Sequence, residues 1–157
     1  MTPPATSRLN ELSQRFTALL FARFSELERH VVAPRDFQHD GDLYIEFPCP
    51  FPTELQWPLC IWTERGREVS IGLDACHTHF TCSRDAVESD IFAEALAFLD
   101  DIFAERIVVI SFVSDGRLAG SSFHPPEEIE AEIAQTPPGI LVRVRSWRGT
   151  YLRDHAA

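Results

Sequence analysis

The chain has 157 residues, 45% of them hydrophobic and 24% charged, and a formal net charge of −10. A chain of this length buries roughly 70% of its unfolded surface; such a composition excludes disorder, and no apolar run is long enough to span a bilayer. The acidic balance argues against a nucleic-acid binder, because phosphate contacts need cations.

The N-terminal stretch MTPPATSRLNELSQRF lacks the basic-then-apolar order of a signal peptide, which predicts a cytoplasmic protein. Cys49, Cys60, Cys76 and Cys82 are then expected to be thiols, acting as small buried apolar side chains. Residues 6–31 place Leu9, Leu12, Phe16, Leu19, Leu20, Phe24, Leu27 and Val31 on one helical stripe. Thr6 or Ser7 can cap that helix and Pro34 stops it. DFQHDGD at 36–42 reads as an acidic turn. GDLYIEF alternates apolar and polar side chains, as a half-buried strand does. The prolines of PCPFP remove backbone donors and make a stiff connector. WPLCIWT (57–63) and EVSIGL (68–73), joined by ERGR, read as a hairpin.

Asp85 with Glu88 resembles a capping box and opens a helix near 86–104, with Ile91, Ala95, Phe98, Leu99, Ile102 and Phe103 on its apolar face. RIVVISFV (106–113) is a continuous apolar run, predicted as a central strand. The Asp-Gly pair in SDGR turns the chain into RLAGSSFH (117–124). PPEEIEAEIAQ (125–135) opens a short helix whose early acids complement the dipole, and GILVRVRSW (139–147) closes the sheet. This order predicts one α+β domain over 1–157. Its single, mainly antiparallel sheet of about six strands would carry a long N-terminal helix, a central helix and a short third helix.

DACHTHFTC at 74–82 poses the sharpest chemical question. Side chains alternate faces along a strand. Continuing the phase of Val69, Ile71 and Leu73 puts His77 and His79 inward, and Cys76, Thr78, Phe80 and Cys82 on the opposite face. Cysteines and histidines then cannot converge on one ion, and the spacing matches no structural zinc motif. His77 and His79 do share a face and could ligate a metal together, with a third ligand from Asp74, His124 or His39. A β-bulge before Phe80 would instead turn both histidines outward. There is no G-x-S-x-G, no Gly-rich phosphate loop and no H-E-x-x-H. All 14 cations are arginine, which excludes lysine nucleophiles and Schiff bases.

The motifs H-T-H-F at 77–80 and S-W-R-G-T at 146–150, with the α+β order, resemble small bacterial cytoplasmic proteins of the polymorphic-toxin immunity type. The resemblance implies a protein that neutralises a cognate toxin, with the two motifs serving the fold. Charge placement agrees: residues 1–35 carry +2, residues 36–105 carry −12, and residues 106–157 are neutral. An acidic surface would be steered towards a toxin or other basic protein. The function expected is therefore non-enzymatic binding, with no cofactor and with Asp36, Asp40 and Asp42 as the partner-binding acids. Alternatives are a metal-dependent enzyme using His77 and His79, and an adaptor or secretion chaperone.

Overall fold

The computed structural model describes residues 9–33, 39–51, 53–81 and 87–156. Helix α1 spans Glu11–Arg23, and the side chain of Asn10 caps it by accepting from the Ser13 N–H. The expected caps Thr6 and Ser7, the stop at Pro34 and the capping-box Asp85 lie outside the described residues. The long N-terminal helix is broken: Phe24 takes φ −130° and ψ 69°, and a 3-10 turn follows over Ser25–His30. The break has a geometric reason. Leu12, Phe16, Leu20 and Phe24 are spaced by fours, and each such step over-rotates by about 40° on a 3.6-residue helix. Resetting the backbone at Phe24 keeps Phe24 and Leu27 buried with the residues before them.

Among the described residues, eight strands form two four-stranded sheets, which replace the expected single sheet. The first contains β1 (Tyr44–Phe47), β2 (Leu59–Glu64), β3 (Glu68–Leu73) and β4 (Cys76–Thr81), in that order. β1 and β2 are antiparallel, with Tyr44 opposite Trp62 and Phe47 opposite Leu59. Helix α2 (Glu88–Phe103) follows. The second sheet is built from β5 (Val108–Ser114), β6 (Arg117–His124), β7 (Leu141–Arg145) and β8 (Arg153–Ala156), in the order β6-β5-β7-β8 with every pair antiparallel. A 3-10 turn at Pro126–Glu128 leads into α3, Ile129–Gln135. Hairpin signals give local pairing only, so they do not reveal that the strands before and after α2 form separate sheets. Among the described residues, no helix is long and apolar enough to cross a membrane.

By internal contacts the chain forms two compact units. The first comprises Met1–Pro48, Leu59–Ile71 and Thr78–Ala97; the second comprises Cys49–Pro58, Gly72–His77 and Phe98–Ala157. In the first unit, the rings of Phe16 and Phe92 lie 5.3 Å apart. The buried hydroxyls of Ser13 and Thr63 bond at 2.6 Å, and Thr63 Oγ1 also accepts the Leu43 N–H. The second unit has a core of Val108, Ile110, Ile129, Ile133, Val142 and Val144, against which Phe112 and Tyr151 pack.

The S-W-R-G-T motif is the turn between β7 and β8. Glu105 is buried and accepts the backbone N–H groups of Arg148 at 2.7 Å and Thr150 at 3.3 Å. The Cys49 thiol donates to the Trp147 carbonyl, and Ser146 Oγ accepts the Tyr151 N–H. Burial pushes the Glu105 carboxyl up. Hydrogen bonds from the Ser146 and Thr150 hydroxyls and from the two backbone N–H groups outweigh burial, so it stays below its ordinary 4.5. A carboxyl depressed by folding contributes stability above its unfolded pKa and loses it as pH falls through the folded value. Glu105→Gln is therefore expected to lower stability at pH 7 by about 1–3 kcal/mol. Urea melts across the acid range should also show a shallower pH dependence for the variant than for wild type.

Candidate functional site

The acidic turn is organised by Asp42, which is 2% exposed. Its Oδ1 accepts from the Asn10 side-chain amide at 3.0 Å, and its Oδ2 accepts the backbone N–H groups of His39 at 3.1 Å and Arg65 at 3.4 Å. Gly41, at φ 91°, makes the tight approach possible. Asp42 is thus a structural acceptor and does not have the free rim carboxylate expected of a partner-binding acid. Asp40 is exposed, and Asp36 lies outside the described residues. Asp40 helps line a shallow pocket of about 290 Å³ together with Asn10, Glu11, Arg15, His39 and Arg65.

The H-T-H-F motif lies on β4. The chain does not run straight from β3 into it: Asp74, at φ 52°, turns tightly with Ala75. This turn resets the strand phase. Cys76 is buried while His77 and His79 are exposed, an outward placement that follows from this turn. His79 Nδ1 lies 2.6 Å from Glu68 Oε1 and 2.8 Å from Ser70 Oγ, and Thr81 donates to Glu68 Oε2 at 3.0 Å. The partly buried Glu68 carboxyl is pushed up by desolvation but held lower overall by Ser70, Thr81 and His79. Burial pushes the Cys76 thiol up, which suits an inert side chain. Cys82 lies outside the described residues.

The third ligands considered for His77 and His79 each have other partners. Asp74 Oδ1 accepts the N–H groups of Gln56 and Trp57. His39 Nε2 accepts from Arg65 at 2.8 Å. His124 is held by Ser122 and Glu128. Among the described residues, the group of three metal-ligating side chains is His124, Glu128 and Glu132, whose ligand atoms lie within 4.8 Å of one another.

The sequence reading did not assemble that group. His124 ends β6, and the two prolines after it start the turn into α3. Glu128 and Glu132 follow at steps of four, one helical turn apart, which brings both carboxylates to the imidazole. Read only as acids complementing a helix dipole, they concealed the H-x-x-x-E-x-x-x-E spacing that carried the signal. Compared with protein-family models, curated proteins and solved structures, the chain has no match.

The contrast between Asp42 and Asp40 is directly measurable. Asp42→Asn puts an amide donor among groups that already donate, and is expected to cost about 1–3 kcal/mol in urea denaturation. Asp40→Asn, at an exposed position, should stay within about 0.5 kcal/mol of wild type.

Proposed function

We propose that this chain is a non-enzymatic binding protein that presents an acidic surface to a basic protein, as an immunity-type inhibitor does to its toxin. The observation that carries this reading is the setting of Arg15. Its guanidinium pairs with Glu88, at the start of α2, through bonds of 2.6 and 2.9 Å, and with Glu11 at 3.5 Å. It also lines the pocket that contains Asp40. Acids from three segments, Glu11, Asp40 and Glu88, thus lie around Arg15 and the pocket it shares with Arg65, and they outnumber these two arginines. Further along α2, Asp90 and Glu94 are exposed one turn apart, near the exposed small side chains Ala93 and Ala97. The helix supplies Glu88, Asp90, Glu94, Asp100 and Asp101 and no basic residue. The exposed pair Asp90 and Glu94 favours the long cationic side chains of a partner.

Charges of this kind act mainly on the encounter rate. The partner-facing acids are then Asp40, Asp90 and Glu94, with Asp36 proposed beside them from the sequence, while Asp42 shapes the turn. The test is association with a secreted toxin encoded beside the gene, followed by stopped flow, together with growth on co-expression. Replacing Asp40 and Asp90 with Asn and Glu94 with Gln should slow association roughly tenfold at low ionic strength and flatten its salt dependence, with little change in dissociation. Wild-type protein that neither binds nor protects against that toxin would refute the pairing. Unchanged association kinetics in the triple variant would refute the surface.

A further inference from the structure

We propose that His124, Glu128 and Glu132 form a binding site for a divalent transition-metal ion, with Ser122 fixing the imidazole that ligates it. The site uses none of the residues invoked for partner binding.

A neutral imidazole has one N–H donor and one acceptor nitrogen. His124 Nε2 lies 2.6 Å from Ser122 Oγ. Nδ1 lies 2.9 Å from Glu128 Oε2 and 3.9 Å from Glu132 Oε1. Two carboxylates thus converge on one nitrogen that can offer at most one proton. Glu130, between them in sequence, bonds to Arg153. No arginine pairs with Glu128 or Glu132 among the described residues. A dication placed between Nδ1 and the two carboxylates supplies the missing positive charge and uses all three lone pairs.

The geometry suits such an ion. Zinc bonds of about 2.0–2.2 Å in a tetrahedral shell place ligand atoms about 3.4 Å apart. The 2.9 Å and 3.9 Å separations bracket that value, so small side-chain rotations complete the set. Ser122 then accepts from Nε2–H, the outer-shell arrangement that fixes tautomer and ring direction in metal-bound histidines. The frame is rigid where it must be: Val108 pairs with His124 across β5 and β6, and Ile129 and Ile133 anchor α3 in the core. The histidine side chain is 16% exposed, whereas those of Glu128 and Glu132 are 52% and 31% exposed. An ion can therefore enter from the helix side and keep a water there. One imidazole with two carboxylates favours zinc, manganese or iron(II) over calcium or magnesium, which prefer oxygen-only shells, and over copper(I), which prefers thiolates.

The test uses the full-length chain without a histidine tag, stripped with chelator and titrated with zinc chloride by calorimetry and with cobalt(II) by visible absorption. One ion per chain is expected. Glu128→Gln and Glu132→Gln should each weaken binding at least tenfold, and Ser122→Ala by roughly 10–100-fold. A His77→Gln/His79→Gln variant should bind as wild type does. Nitrogen NMR of the wild-type protein should show zinc shifting Nδ1 of His124 while Nε2 stays protonated, a readout independent of any variant's folding. No uptake at millimolar zinc would overturn the site, as would binding unchanged in a folded Glu128→Gln/Glu132→Gln variant. Loss of binding in the His77/His79 variant would equally reassign it. Covalent labelling of Ser122 by a fluorophosphonate, equally with and without zinc, would assign the cluster to a hydrolytic relay and also overturn the proposal.

Discussion

Irregular backbone must find acceptors for its N–H groups, and this chain meets that need repeatedly with carboxylates. Asp42 takes the N–H groups of His39 and Arg65, Asp74 those of Gln56 and Trp57, and Glu105 those of Arg148 and Thr150. Each joins segments far apart in sequence, and each closes a connection between strands or helices. The arrangement also divides the acidic excess of residues 36–105 into two populations. Some of the charge is committed to holding turns, and only the remainder faces solvent, where it can steer a partner. A segmental charge count does not separate the two.

Buried Arg145 has the complementary role in the second unit. It is 5% exposed, donates to Asp154 at 2.6 Å and to Glu54 at 3.2 Å, and also reaches the carbonyls of Val144, Arg153 and Glu54. A guanidinium suits this position because its planar fork serves several acceptors at once. Removing one partner of such a buried group leaves the other unsatisfied. The strand pattern of 139–147 places Arg145 opposite Val142 and Val144, yet all three side chains are buried. Alternation therefore signalled its face without signalling its burial.

Much of the local structure was legible from the residues. The apolar run at 106–113 became β5, interior in its sheet, and Asp115-Gly116 turned the chain into β6 as the pair predicts. The break at Phe24 was hidden because no proline or glycine marks it; only the repeated step of four did. The turn at Asp74-Ala75 was missed because alanine is an unusual turn residue, and the error inverted the apparent faces of His77 and His79. β8 was missed because RDHA has neither alternation nor branched side chains, and its pairing with β7 supplies what its propensity lacks. The His124 cluster needed two facts together, a strand end and a helix phase, and neither alone brings a carboxylate to the ring.

The weak strand propensity of β8 has a consequence for association. β7 carries the alternating sequence LVRVR, and without a neighbour its outer row of N–H and C=O groups would be an open template for another chain. The last strand covers that row with only four residues, three of them Arg153, Asp154 and His155. Short length and charge make β8 itself a poor template. On this side the sheet thereby ends in a short, charged margin in place of an alternating apolar one.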